Sequence, residues 1–187
     1  TLGNCDYQCW RDAASAGGTT ICPGTCDITA NTTLGPKKYV GNLKLSSNAV
    51  VTMNGPIHVT GDFETVNSAK LNLNNSFGSN GTVLIVDGKI RVSNSGALNP
   101  TNANPPGYIL AVTTSTATDA INISNSAEAA LFYALEGGAQ ISNSGEIIAI
   151  VAKSLTINNN SELIYHSGLA DATFSSGPGA SWLMIKG

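Results

Sequence analysis

Four cysteines stand within the first 26 residues: Cys5, Cys9, Cys22 and Cys26. Their C-x3-C, twelve-residue, C-x3-C spacing is compatible with a tetrahedral zinc site. The even count, the low charge of the chain and the terminal position fit two disulfides better. Three pairings exist, and the nested one, Cys5 with Cys26 and Cys9 with Cys22, is the expectation. No CxxC motif or neighbouring His is present to activate a thiol, so thiol catalysis is not expected. Three acids, Glu128, Glu146 and Glu162, fall at one equivalent position of an internal repeat. Stacked side by side they could bridge a Ca²⁺ ion together with Asn oxygens. The plainer expectation is three solvated side chains that splay apart, with no resident cofactor or metal.

The remaining polar constellations point away from catalysis. Glycoside cleavage needs two carboxyls at a fixed distance across a cleft. Here Asp62 and Glu64 share one strand face, and Asp87, Lys89 and Arg91 share another. Asp87 and Lys89 are expected to pair at the surface. His58 and His166 are lone histidines, expected at the surface or at corners. No Gly-x-Ser-x-Gly elbow, phosphate-binding loop or Gly-x-Gly-x-x-Gly run is present, so hydrolase and nucleotide chemistry have no support. Thr113, Thr114, Thr116 and Thr118 cluster without recurring at a fixed period, which argues against an ice-binding array. Tyr108, Tyr133 and Tyr165 are candidates for stacking on glycans or for packing along one wall.

These side chains must be positioned by a chain of unusual composition. Of its 187 residues, 57 are Asn, Ser or Thr, while charged residues are only 11%. Hydrophobic residues reach 42%, so the chain can bury a core. The net charge is −3, with no basic footprint for nucleic acid or anionic membrane. The longest apolar runs, such as 147–152, are far shorter than a membrane span. Beginning at Thr1 rather than Met, the sequence suggests that a segment upstream was removed. Asn-X-Ser/Thr triplets at Asn31, Asn74, Asn80, Asn122 and Asn159 add weak support for export.

The element-level signal is an internal repeat. Ile141-Ser142-Asn143-Ser144-Gly145-Glu146-Ile147 recurs as Ile157-Asn158-Asn159-Asn160-Ser161-Glu162-Leu163. Further copies begin at Ile123 and Val92, with looser ones at Val66 and Leu45. The register is apolar, small polar residues, Gly or Ala or Ser, any residue, apolar. Short strands alternating inward apolar with outward polar residues, joined by tight corners, are predicted. One coil cannot close a core, so coils must stack as parallel strands about 4.8 Å apart. Asn tolerates left-handed backbone angles and suits the corner, where its amide can bond the same amide one coil away. Asn94, Asn125, Asn143 and Asn159 form the predicted ladder.

The predicted fold is therefore all-β, a single-stranded parallel β-helix (β-solenoid) of about seven to nine coils. Residues 1–30 are expected to be a disulfide-stapled cap. It holds a short helix over residues 7–16, with Cys9, Ala13 and Ala14 facing inward. Residues 31–167 are the solenoid. Residues 168–187 are a tail, with Phe174, Trp182 and Leu183 available to close the last coil. Residues 99–107, with three prolines, bulge from a corner.

Several segments resemble a known family. They are Gly35-Pro36-Lys37-Lys38 with Gly41-Asn42-Leu43, Gly55-Pro56-Ile57-His58-Val59-Thr60-Gly61-Asp62, the Ile-Ser-Asn-Ser copies, and the tail 175–182. Together they are similar to an Asn-rich repeat domain of bacterial surface proteins that accompanies type IV pilus-associated PilX-like proteins. The likeness spans most of residues 31–182. It implies an exported domain behind a pilin-like anchor, with a bactofilin-like β-solenoid fold and no catalytic residues. The hydrophobic pilin helix is not in this sequence.

The expected function is a non-enzymatic structural module, extracellular or at the cell surface. Its expected partners are other surface or pilus subunits, or further copies of itself in a fibre or an adhesive. It makes no membrane contact of its own. The alternative is a β-helix that binds or cleaves glycans.

Overall fold

The computed structural model describes residues 7–163 and 173–174. One helix, α1 (Tyr7–Ser15), precedes a run of strands. The helix stops at Gly17-Gly18, where Gly18 takes a φ of +98°. Trp10 and Ala14, four residues apart on one helix face, are its buried residues. Ala13 and Cys9, expected to point inward beside Ala14, are only half-buried, because the large Trp10 side chain sets the buried face.

The strands are β1 (Thr19–Ile28), β2 (Thr32–Leu34), β3 (Lys37–Leu45), β4 (Val50–Met53), β5 (Ile57–Val59) and β6 (Phe63–Thr65). Next come β7 (Lys70–Leu73), a 3-10 turn (Asn75–Phe77), β8 (Asn80–Val86), β9 (Ile90–Ser93), β10 (Ala97–Asn99) and β11 (Ile109–Thr113). The run ends with β12 (Ile121–Ser124), β13 (Glu128–Ser142), β14 (Glu146–Ile157), β15 (Glu162–Leu163) and β16 (Thr173–Phe174). The fold is thus all-β, as the composition predicts.

Every strand pairing among the described residues is parallel, and the pairings follow three ladders. One runs β1–β3–β5–β8–β11–β13–β14. A second uses the later halves of β1 and β3 and then β6, β9, β12, β13 and β14. The third runs β2–β4–β7–β10–β13–β14–β15. The sheet begins at Thr19, within the segment expected to be a cap, because β1 pairs in register with β3.

Apolar side chains from all three ladders meet in one cluster. It includes Leu43, Phe63 and Ile90 from the second ladder, Val51 and Leu71 from the third, and Ile57 and Leu84 from the first. Fully burying each such side chain contributes about 1.5–3 kcal/mol, which is what compensates for ordering many short strands. The outside of β8 is buried as well. Val83 and Ile85, with Val112 of the neighbouring β11, cluster there with Trp10 of α1, so this short strand is apolar on both faces. Of the tail expected to close the last coil, only Thr173–Phe174 is described, and Trp182 and Leu183 lie outside the described residues. Thr173 and Phe174 pair with Asn80–Gly81, the start of β8, which extends past its pairing with β11.

Candidate functional site

Three polar features are built on this frame. The first is the corner that precedes β4, β7, β10, β13, β14 and β15. Each of these corners holds two consecutive residues in the left-handed region: Ser47-Asn48, Asn67-Ser68, Asn94-Ser95, Asn125-Ser126, Asn143-Ser144 and Asn159-Asn160. Asn and Ser tolerate this conformation through local hydrogen bonding, where a β-branched residue would be strained. Successive corners are tied by their backbones, as in Ser95 N–H to Asn125 O and Ser126 N–H to Asn143 O, both 3.0 Å. The side chains add a second ladder. Asn125 Nδ2 donates to Asn94 Oδ1 at 2.9 Å, Asn143 to Asn125 at 3.1 Å, and Asn159 to Asn143 at 2.9 Å.

The second feature is an ionic knot beneath α1. Arg11 donates from Nη2 to Asp87 Oδ1 at 2.5 Å and from Nε at 3.2 Å. His58 Nε2 lies 2.9 Å from the other carboxylate oxygen. Burial pushes the Asp87 carboxyl up, but hydrogen bonds from Arg11 and His58, with their charges, outweigh it and hold it below the usual carboxylate range. His58 is 3% exposed, not a surface residue as expected, and its Nδ1 has no hydrogen-bond partner among the described residues. The cause is register. His58 pairs with Ile85 on the outer face, and α1 covers that face. One ring nitrogen is thus engaged by Asp87, and the imidazole is sealed from solvent.

The expected Asp87–Lys89 pair is also corrected. Asp87 turns to Arg11 and His58, and Lys89 Nζ bonds Asp119 at 2.6 and 2.8 Å. Lys89 thereby lowers the Asp119 carboxyl, against a smaller opposing effect of burial. Asp62 and Glu64 likewise have cationic partners: Arg91 at 2.9 Å and Lys44 at 3.5 Å. Asp62 also caps a backbone, taking Lys89 N–H at 2.8 Å. These acids are spent on neighbouring strands.

The third feature is the glutamate column. Glu128 pairs in register with Glu146, and Glu146 with Glu162. Glu146 and Glu162 are exposed. Among the described residues no three His, Cys, Asp or Glu side chains gather as a metal site would require.

The nested disulfide pattern is overturned. Cys22 bonds Cys26 across an irregularity of β1, where Pro23-Gly24 brings the two Cα atoms to 5.1 Å. Cys9 keeps a free thiol on α1. Cys5, His166 and Tyr165 lie outside the described residues. Tyr133 is half-buried against the Trp10 cluster, and Tyr108 is buried. No described helix is long and apolar enough to cross a membrane. Sequence reasoning missed Trp10 and Arg11, the residues that dock α1. The signal available was one large aromatic beside one cation in a short amphipathic segment.

The comparisons name no relative. No family model matches this chain, and neither a curated protein nor a solved structure matches it.

Proposed function

We propose that the chain winds as a three-walled parallel β-solenoid, seven strands deep, and serves as a non-enzymatic structural module of an exported surface or pilus-associated protein. The observation that carries this reading is the unbroken Asn94–Asn125–Asn143–Asn159 amide ladder, aligned with parallel pairing on either side of the corner. Such stacking yields a stiff, repetitive body with little surface left for chemistry. The paired acids and the sealed His58 support a scaffold over a hydrolase. The Cys22–Cys26 disulfide suits an oxidising compartment. Self-association end to end is favoured by β14, whose residues 154–157 pair only with β13 among the described residues, with Leu155 and Ile157 exposed.

Negative-stain imaging of the purified protein, with a reducing-end assay on a polysaccharide panel, tests the proposal. Short uniform rods, single or joined end to end, without release of reducing ends, are expected. Release of reducing ends that vanishes in Asp87→Asn would overturn it.

A further inference from the structure

Along the outside of β7 and β10 lie two adjoining cavities of about 300 and 330 Å³ that share Asn99. Each reaches the lower bound of ordinary ligand pockets, about 300 Å³. The trough exists because Ala97 carries no side chain long enough to fill the space beside its register partner Lys70. Beyond Asn99 the chain leaves the strand, and the loop carrying Pro100 and Thr101 raises a wall.

That wall is fixed from within. Thr101 Oγ1 donates to Gly78 O at 2.5 Å and accepts Gly107 N–H at 2.8 Å. Asn102 N–H donates to Asn75 Oδ1 at 2.9 Å, and Asn99 Nδ2 to Asn72 Oδ1 at 2.8 Å. Each of these side-chain amides is held by one end only. Among the described residues, Asn72 Nδ2, Asn99 Oδ1 and Asn75 Nδ2 have no protein partner. The trough therefore presents donors and an acceptor on side chains already held in place, so little ordering cost remains on binding. Sugar hydroxyls both donate and accept, and they match such a mixed row. Half-buried Pro100 supplies apolar surface for the C–H face of a ring.

Charge narrows the ligand. Among the described residues, Lys70 is the one charged side chain in the lining. Beyond Ala97 the same column continues into Glu128, Glu146 and Glu162. An anionic chain would meet the exposed Glu146 and Glu162 after one cation. We propose that this trough binds a neutral oligosaccharide, which would give the scaffold an adhesive face. The site does not depend on the scaffold reading. A folded protein that binds no sugar loses this proposal alone, whereas glycan cleavage would remove the scaffold reading alone.

The test is an NMR titration of the intact chain with maltotriose, cellotriose, triacetylchitotriose and, as an anionic comparison, trigalacturonate. At least one neutral trisaccharide should give saturable shifts, in the millimolar range, confined to the backbone amides of residues 68–75, 95–102 and 126. Asn99→Leu should weaken binding about fivefold, the worth of one hydrogen bond of about 1 kcal/mol. Ala97→Met should fill the trough and abolish the shifts, with the resonances of the distant Gly41, Gly61 and Gly88 unchanged in both variants. No saturable shift from any neutral sugar overturns the proposal, as does tighter binding of trigalacturonate or binding that survives Ala97→Met.

Discussion

Arg11 on α1 and Asp87 just beyond β8, 76 residues apart in the chain, are joined by a 2.5 Å hydrogen bond from Nη2 to Oδ1. His58 takes the other carboxylate oxygen. A nine-residue helix is too short to persist in water by propensity alone. Its place therefore rests on this knot and on Trp10.

Arg11→Met should cost about 1–3 kcal/mol, since both partners are partly buried and charge-assisted bonds exceed neutral ones. The side chains are 25% and 30% exposed, which keeps the loss below that of a fully buried pair. Asp87→Asn should cost at least as much, because it leaves the guanidinium facing an amide. Urea unfolding of the two variants and their double measures this. If the two losses simply add, the pair contributes no coupling and the docking argument fails.

The repeat was legible because its register is local. Isoleucine, two or three small polar residues and a second aliphatic residue specify strand, corner and strand within seven positions. The amide ladder followed from the same register, since residues at equivalent positions of parallel strands must stack. The knot was not legible. Arg11, His58 and Asp87 meet only because α1 folds back across β5 and β8, and nothing in their local sequence encodes that crossing. The disulfide was misread for a related reason. The nested pairing took no account of the turn at Pro23-Gly24, which holds Cys22 and Cys26 within disulfide reach of each other.

Stability should fall in acid. The Asp87 and Asp119 carboxyls are held below their ordinary value in the folded protein. A depressed folded pKa contributes stability that is present above the unfolded value of about 3.9 and is lost as pH falls through the lower folded value. The unfolding midpoint should therefore decline below about pH 4. Asp87→Asn should flatten part of that decline. An acid limb of equal depth in this variant would show that Asp87 is not its source.

The corner ladder separates two effects in one pair of variants. Asn143 has a φ of +54°, donates to Asn125 and accepts from Asn159. Asn143→Ala loses both amide bonds and the polar side chain that eases the left-handed conformation, for a combined loss of about 1–3 kcal/mol. Asn143→Gly removes the ladder but relieves the backbone. Glycine should recover part of the loss without reaching the native midpoint in chemical denaturation. Full recovery would mean that backbone conformation alone fixes this residue.

A tighter constraint lies at the opposite corner, where Gly41, Gly61 and Gly88 stack. Gly61 N–H donates to Gly41 O and Gly88 N–H to Gly61 O, each at 3.0 Å. A Cβ built on Gly88 would lie 2.7 Å from Gly61 O and would also strike Asp62 Oδ1. Backbone cannot withdraw without breaking the ladder on both sides, so the clash has no inexpensive relief. Overpacking of this kind costs about 1–3 kcal/mol where side chains can move and more where backbone must. Gly88→Ala should therefore lower the unfolding midpoint further than Arg11→Met does. At Gly24, where an added Cβ meets nothing within 4 Å, the same substitution should cost less, since only its φ of +87° is unfavourable. A Gly88→Ala protein as stable as Gly24→Ala would show that the stacked corner can open without loss.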